Sequence, residues 1–190
     1  MKTELRLAGT GGQGVILASI ILAEAAGVYD GRRVVQTQSY GPEARGGASR
    51  ADVIIADEPI LFPKARRLDV LVCLSQQAAD RYFDDLKVRG TAIIDEFYVR
   101  ECPRSGAICL PLSETARRGL GRELFTNIIT LGALARVTRL VKIESLEKAV
   151  ATRVPAHSLD MNRRALALGW QLADRAPSSG IHNPTRQDDP

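Results

Sequence analysis

The feature that most constrains this chain lies near its start. A short apolar run, Leu5-Arg6-Leu7-Ala8, leads into Gly9-Thr10-Gly11-Gly12-Gln13-Gly14, and an Ala- and Leu-rich segment from Val15 to Ala26 follows. The run alternates as a strand does, and the segment suits a helix that stops at Gly27. Strand, glycine turn and helix in that order open a βαβ unit. Gly9, Gly11 and Gly14 satisfy G-x-G-x-x-G in the context that gives the pattern meaning. Glycine allows positive φ in the turn and removes the Cβ where a phosphate or another backbone must approach. The helix N-terminus then offers free N–H groups and the positive end of its dipole to an anion.

The rest of the chain extends this opening into a sheet. Val34–Gln38, Ala51–Ala56, Asp69–Leu74 and Thr91–Asp95 read as further strands, with Ala107–Pro111 as a last, edge strand. Asp69–Leu74 is apolar on both faces, as central parallel strands are. Gln76 to Lys87 carries apolar residues at helical spacing. Beyond residue 112 the texture turns helical, with Thr126–Leu140, Ser145–Val154 and Leu159–Arg175 as separate helices. The expected fold is α/β: a doubly wound, Rossmann-like three-layer domain with a mostly parallel sheet and a helical C-terminal part. One domain over residues 1–176 is expected. The tail 177–190 holds three prolines and Ile181 as its one large aliphatic residue, and reads as disordered.

Composition removes several function classes. The longest apolar stretches, such as Val15–Ile21 with Ser19 inside, fall far short of the ~20 residues a bilayer crossing needs. No secretory pattern follows Met1, so the cytoplasm is the expected compartment and no membrane partner is expected. Net charge is +4, yet pairs such as Arg32-Arg33 and Arg163-Arg164 are scattered along the chain, and aromatics are only 5%. A nucleic-acid surface concentrates its charge, so no nucleic-acid partner is expected. Cys73, Cys102 and Cys109 are too few for the four thiolates of an iron–sulfur cluster. Cys73 reads as a buried, inert thiol; Cys102 and Cys109 have the spacing to meet across a turn, but reduced thiols are the expectation in a cytosolic chain. His157 and His182 are the only histidines, which argues against both a zinc centre and a Ser-His-Asp triad. No catalytic residue and no metal ligand is assigned.

The glycine turn can be tested against its known uses. A P-loop places Lys and Ser/Thr after its last glycine, and Val15-Ile16 stand there instead. A dinucleotide site places an acid about 20 residues on, at the end of the second strand. Gln36 and Gln38 occupy that region, with Asp30 before the strand and Glu43 in the loop beyond. Gly9, Thr10, Gly11, Gly12, Gln13 and Gly14 remain candidates for binding a cofactor; the alternative is a tight turn that packs helix on sheet. A second cluster, Ser39-Tyr40-Gly41-Pro42-Glu43-Ala44-Arg45-Gly46-Gly47, follows the second strand on the same carboxyl edge, where open α/β sheets bind ligands and partners. The alternative there is a long surface loop whose Glu43 and Arg45 simply pair.

Together the two clusters resemble the gamma subunit of 2-oxoacid:ferredoxin oxidoreductases. The likeness rests on Gly9–Gly14 with its Ala-rich helix and on Gln38–Ser49, and extends through the Asp69 and Gly90–Asp95 strands over about residues 4–140. The approach Gln36-Thr37-Gln38-Ser39-Tyr40 is most similar to gamma chains acting on 2-oxoglutarate, with pyruvate and other 2-oxoacids open. The resemblance implies a chain that is not catalytic alone. Its complex would decarboxylate a 2-oxoacid with coenzyme A to acyl-CoA, CO2 and reduced ferredoxin. Thiamine diphosphate, Mg²⁺ and iron–sulfur clusters would sit on partner subunits, with coenzyme A as substrate. Alpha, beta and ferredoxin-like delta subunits are the implied partners, and ferredoxin the acceptor. Tyr40, Gly41, Pro42, Glu43, Arg45, Gly46 and Gly47 are the expected interface, and the glycine turn either braces that loop or faces the coenzyme A diphosphate. The rival readings are an autonomous nucleotide-binding oxidoreductase and a small binding module of the same fold.

Overall fold

In the computed structural model, residues 1–39, 48–103 and 106–176 are described. The expected interface segment Tyr40–Gly47 and the expected disordered tail 177–190 lie outside the described residues. Six strands form one sheet: β1 (Lys2–Thr10), β2 (Arg33–Gln38), β3 (Ala48–Ala56), β4 (Leu68–Cys73), β5 (Leu86–Asp95) and β6 (Ile108–Leu110), in the order β2-β3-β1-β4-β5-β6. The helices are α1 (Val15–Glu24), α2 (Gln76–Tyr82), α3 (Leu112–Leu120), α4 (Thr126–Thr138), α5 (Ile143–Arg153) and α6 (Leu159–Asp174).

The sheet is mostly parallel, as expected: β1, β4, β5 and β6 run the same way. β3 is the exception, inserted antiparallel between β1 and β2. The connection from Gln38 to Ala48 explains it. Residues 39–47 are too few for the crossover of a dozen or more residues that a parallel partner requires, so the chain turns back as a hairpin. β2 therefore runs parallel to β1 without touching it, and the βαβ unit at the start of the chain is a split one.

Two apolar clusters sandwich the sheet. On one face Leu5, Leu7, Val53, Ile55, Val70, Val72 and Ile93 pack beneath α1 and α4, with α3, α5 and α6 completing that layer. On the other, Ala8, Leu71, Cys73, Ala92 and Ile94 meet Ala78, Ala79 and Tyr82 of α2. Three layers result. The thiol of Cys73 is fully buried, and burial pushes its pKa up to about 12, so it behaves as the inert apolar filler expected.

Helix boundaries depart from the sequence pattern in two places. α1 does not stop at Gly27 but widens into a π-helical turn, Ala25–Tyr29, closed by Asp30 N–H donating to the Ala25 carbonyl at 3.0 Å. Asp30 then caps α5, accepting from Lys142 N at 3.1 Å and Ser145 Oγ at 2.6 Å. The Gln76–Lys87 helix ends early: a 3₁₀ turn, Phe83–Asp85, follows Tyr82, and Leu86 already begins β5. Leu86 and Thr91 are buried with exposed Val88 and Arg89 between them, a pattern set by the sheet's edge and not by a helix face.

Candidate functional site

The carboxyl edge of the sheet collects the chain's irregular segments. β1 ends there at Thr10, β2 at Gln38, β4 at Cys73 and β5 at Asp95, while β3 begins there, Ala48 standing opposite Thr10. The Ala48 end of the 39–47 connection therefore stands against the glycine turn, while its Gln38 end lies one strand further out on the same edge.

The turn divides into a braced half and an open half. Gln13 does the bracing: its Oε1 accepts from Thr10 N–H at 2.7 Å, and its Nε2 donates to the Leu74 carbonyl at 2.8 Å, tying the turn to the exit of β4. Both polar ends of Gln13 are thus consumed within the chain. Gly9 makes room for this clamp, since a Cβ there would lie 2.4 Å from Gln13 Oε1 and 3.2 Å from Leu74 Cβ. Gly14 adopts φ 71°, and a Cβ on it would stand 2.5 Å from Nδ2 of Asn127. That amide is buried on α4 and donates to the Gly14 carbonyl at 3.4 Å. Thr10, Gly11 and Gly12, in contrast, are exposed, and Cβ positions on Gly11 and Gly12 meet nothing within 4 Å. Gly12 has φ 93°, so its glycine is required by backbone conformation alone. α1 carries no side-chain cap and no acid in its first turn, which leaves the open half without negative charge of its own.

Beside the turn, a largely apolar cleft of about 430 Å³ runs between α1 and the α3–α4 and α5–α6 connections. Leu17, Phe125, Asn127 and Met161 line it, and Arg122 and His157 stand at its margin. Leu17 and Leu124 are exposed large apolar residues on that rim. Further along the edge, Asp95 is fully buried and holds the start of α3, accepting from Ser113 N–H at 3.3 Å and, more closely, from the Ser113 hydroxyl. Burial raises its pKa against the lowering effect of those Ser113 bonds.

The second face of the sheet holds a charged cluster that the sequence reading missed. Arg6 is 2% exposed, and its guanidinium makes a bidentate pair with Asp52, Nε–Oδ1 at 2.7 Å and Nη2–Oδ2 at 2.9 Å. Its third nitrogen pairs with Asp85, and its Cζ lies 4.8 Å from the Tyr82 ring centre. Burial works against the guanidinium's charge, but Asp52 and Asp85 more than offset it and leave its pKa raised. The signal was strand register: Arg6 and Asp52 face each other across the β1–β3 pair. Gln36, at the position where a dinucleotide site places its acid, donates instead to Ser19 Oγ of α1 at 3.0 Å. Among the described residues, no group of three or more His, Cys, Asp or Glu side chains is placed to hold a metal ion, and no helix is long and apolar enough to cross a membrane.

Comparison with known proteins agrees with the motif resemblance. The model of the pyruvate ferredoxin/flavodoxin oxidoreductase family matches residues 4–172. The chain belongs to this family. It is 47% identical to the 2-oxoglutarate synthase subunit KorC of Methanocaldococcus jannaschii over 177 residues, covering 91% of this chain and 95% of that one. Identity to the pyruvate synthase subunit PorC of Methanothermobacter marburgensis is 32%, over 88% of this chain and 96% of the relative. The fold matches the crystal structure of a keto/oxoacid ferredoxin oxidoreductase gamma subunit from Geobacter sulfurreducens with TM-score 0.85 and 42% identity, over 93% and 98% of the two chains. The resemblance to gamma chains, with its lean toward 2-oxoglutarate, is borne out.

Proposed function

We propose that this chain is the gamma subunit of a 2-oxoglutarate:ferredoxin oxidoreductase, that its residues 1–176 form the working domain, and that it acts in the cytoplasm by completing a complex whose chemistry lies on other chains. The carrying observation is the 47% identity to a 2-oxoglutarate synthase subunit over nearly the whole of both chains. The thiamine diphosphate, Mg²⁺ and iron–sulfur clusters of such a complex belong to its alpha, beta and ferredoxin-like delta subunits, and ferredoxin takes the electrons. Among the described residues no cluster of side chains is placed to hold a metal ion, and with Cys73 sealed in the core the three cysteines fall short of an iron–sulfur ligand set.

Within the complex, the carboxyl edge is the docking rim. Gly9, Gln13 and Gly14 keep the turn rigid through internal bonds, which supports bracing as their task. Thr10, Gly11 and Gly12 form the outward half, suited by the two glycines' missing side chains and a positive helix end to a close-lying backbone or the diphosphate of coenzyme A. Tyr40, Gly41, Pro42, Glu43, Arg45, Gly46 and Gly47 supply the partner-facing loop. Glu43 and Arg45 are its charged contacts, and removal of one desolvated partner costs several kcal/mol.

The test is reconstitution. Co-expression with the alpha, beta and delta chains should give one complex that reduces ferredoxin in a coenzyme A-dependent way, fastest on 2-oxoglutarate among a panel of 2-oxoacids. Arg45→Ala should lower the yield of complex. A chain that fails to co-purify, or that binds NAD(H) or flavin tightly by itself, contradicts the reading.

A further inference from the structure

The second face of the sheet carries a basic groove, and the family reading leaves it unexplained. After β3, residues 57–67 leave the amino edge, where Arg66 N–H bonds Glu4, and fold back over β2 and β3. Pro63, Lys64 and Ala65 thereby form one wall of a groove of about 400 Å³, with Thr37, Ser39, Arg50 and Asp52 on the other. Arg50 is half-buried, its Cζ 5.6 Å from the Tyr82 ring centre. A cation–π contact of this kind holds the guanidinium near the ring without using its N–H donors. Neither Arg50 nor Lys64 has a hydrogen-bond or ion-pair partner among the described residues. The nearby acids are already committed: Asp52 takes two nitrogens of Arg6, and Asp85 the third. Among the described residues, the one acid that lines the groove, Asp52, is held by Arg6, so Arg50 and Lys64 give the groove its cationic character.

We propose that the Arg50–Lys64 groove is a recognition site for an acidic side chain of a partner subunit, a glutamate or aspartate that enters between β3 and the 57–67 connection. The proposal rests on the subunit reading given above. A protein surface is the occupant, and not a free anion, because of what lies beside the groove. Leu61 is 94% exposed and Phe62 44%, in the same connection as Lys64. Exposed apolar anchors next to a preorganised guanidinium have the make-up of an interface hot spot. A small free anion would leave both apolar side chains in water. The groove also opens beside Ser39 and Arg50, which bracket the segment read as the docking loop, so one partner surface can cover both.

The test measures association of the chain with the assembled partner subunits across a salt series. Arg50→Met keeps an aliphatic stem over Tyr82, and Lys64→Glu alters an exposed side chain that has no hydrogen-bond or ion-pair partner among the described residues. Each should weaken association at least tenfold, with a shallower salt dependence, while the melting temperature of the isolated chain holds. Arg50→Lys should recover part of the loss. Wild-type chain that associates while both variants associate equally well overturns the groove assignment and leaves the subunit reading intact. Wild-type chain that fails to associate overturns both. Citrate that binds the isolated chain in an Arg50-dependent way, with association unaffected by either variant, overturns the proposal in favour of a free carboxylate ligand.

Discussion

Single residues decide whether the second face of this sheet can exist. A guanidinium at 2% exposure is tolerable only because Asp52 meets it in a fork-to-fork pair. Asp52→Asn should therefore destabilise the chain by about 3–5 kcal/mol, the cost of breaking a buried pair, as read by denaturant unfolding. Asp85→Asn should cost less, since the Asp85 side chain is 44% exposed. Asp95 makes a complementary case. Its pKa is raised in the fold, so the folded chain holds that proton more tightly than the unfolded chain does. Its contribution is fully present below the ordinary aspartate value and is lost as pH rises through the raised one. Asp95→Asn, which can still accept from the Ser113 N–H, should flatten that decline in a stability–pH profile. The sequence exposed these residues unevenly. Gly9–Gly14 is legible because its meaning is local, whereas Asn127 meets Gly14 across 113 positions and carries no local signal. Arg6 inside Leu5-Arg6-Leu7 carries no local sign of its ion pair, which comes from the β1–β3 register that puts Asp52 opposite it.

Elements were legible wherever pattern and packing agree. The order of strands and helices follows from periodicity, and the antiparallel β3 follows from the length of the 39–47 connection once that length is weighed against a crossover. What periodicity could not give is the closeness of α4 to α6. A Cβ on Gly132 would lie 2.1 Å from the Leu166 carbonyl oxygen, and one on Gly169 1.8 Å from that of Ile129. The two helices thus meet backbone to backbone across a pair of glycines. Gly169→Ala gains about 1 kcal/mol of helix propensity on an isolated helix. Here the methyl has to push the helices apart, so the expected outcome is a net loss of about 1–3 kcal/mol and a lower melting temperature. A variant as stable as wild type would show that the helix pair can slide.

At the scale of the whole molecule, the edges of the sheet have separate tasks. The amino edge is tied off by internal pairs: the N-terminus to Asp57 at 2.8 Å, and Arg66 N–H to Glu4 at 2.7 Å. The carboxyl edge keeps its glycine turn open on one side, an apolar cleft beside it and a basic groove behind it. That asymmetry supports the proposal that the chain presents its carboxyl rim to partner subunits. Amide hydrogen exchange, compared between the isolated chain and the assembled complex, tests this most directly. The account predicts protection on assembly at residues 10–12, across 39–50 and at 61–64, with little change along the amino edge. Protection confined to the amino edge, or none anywhere on the chain, would contradict it.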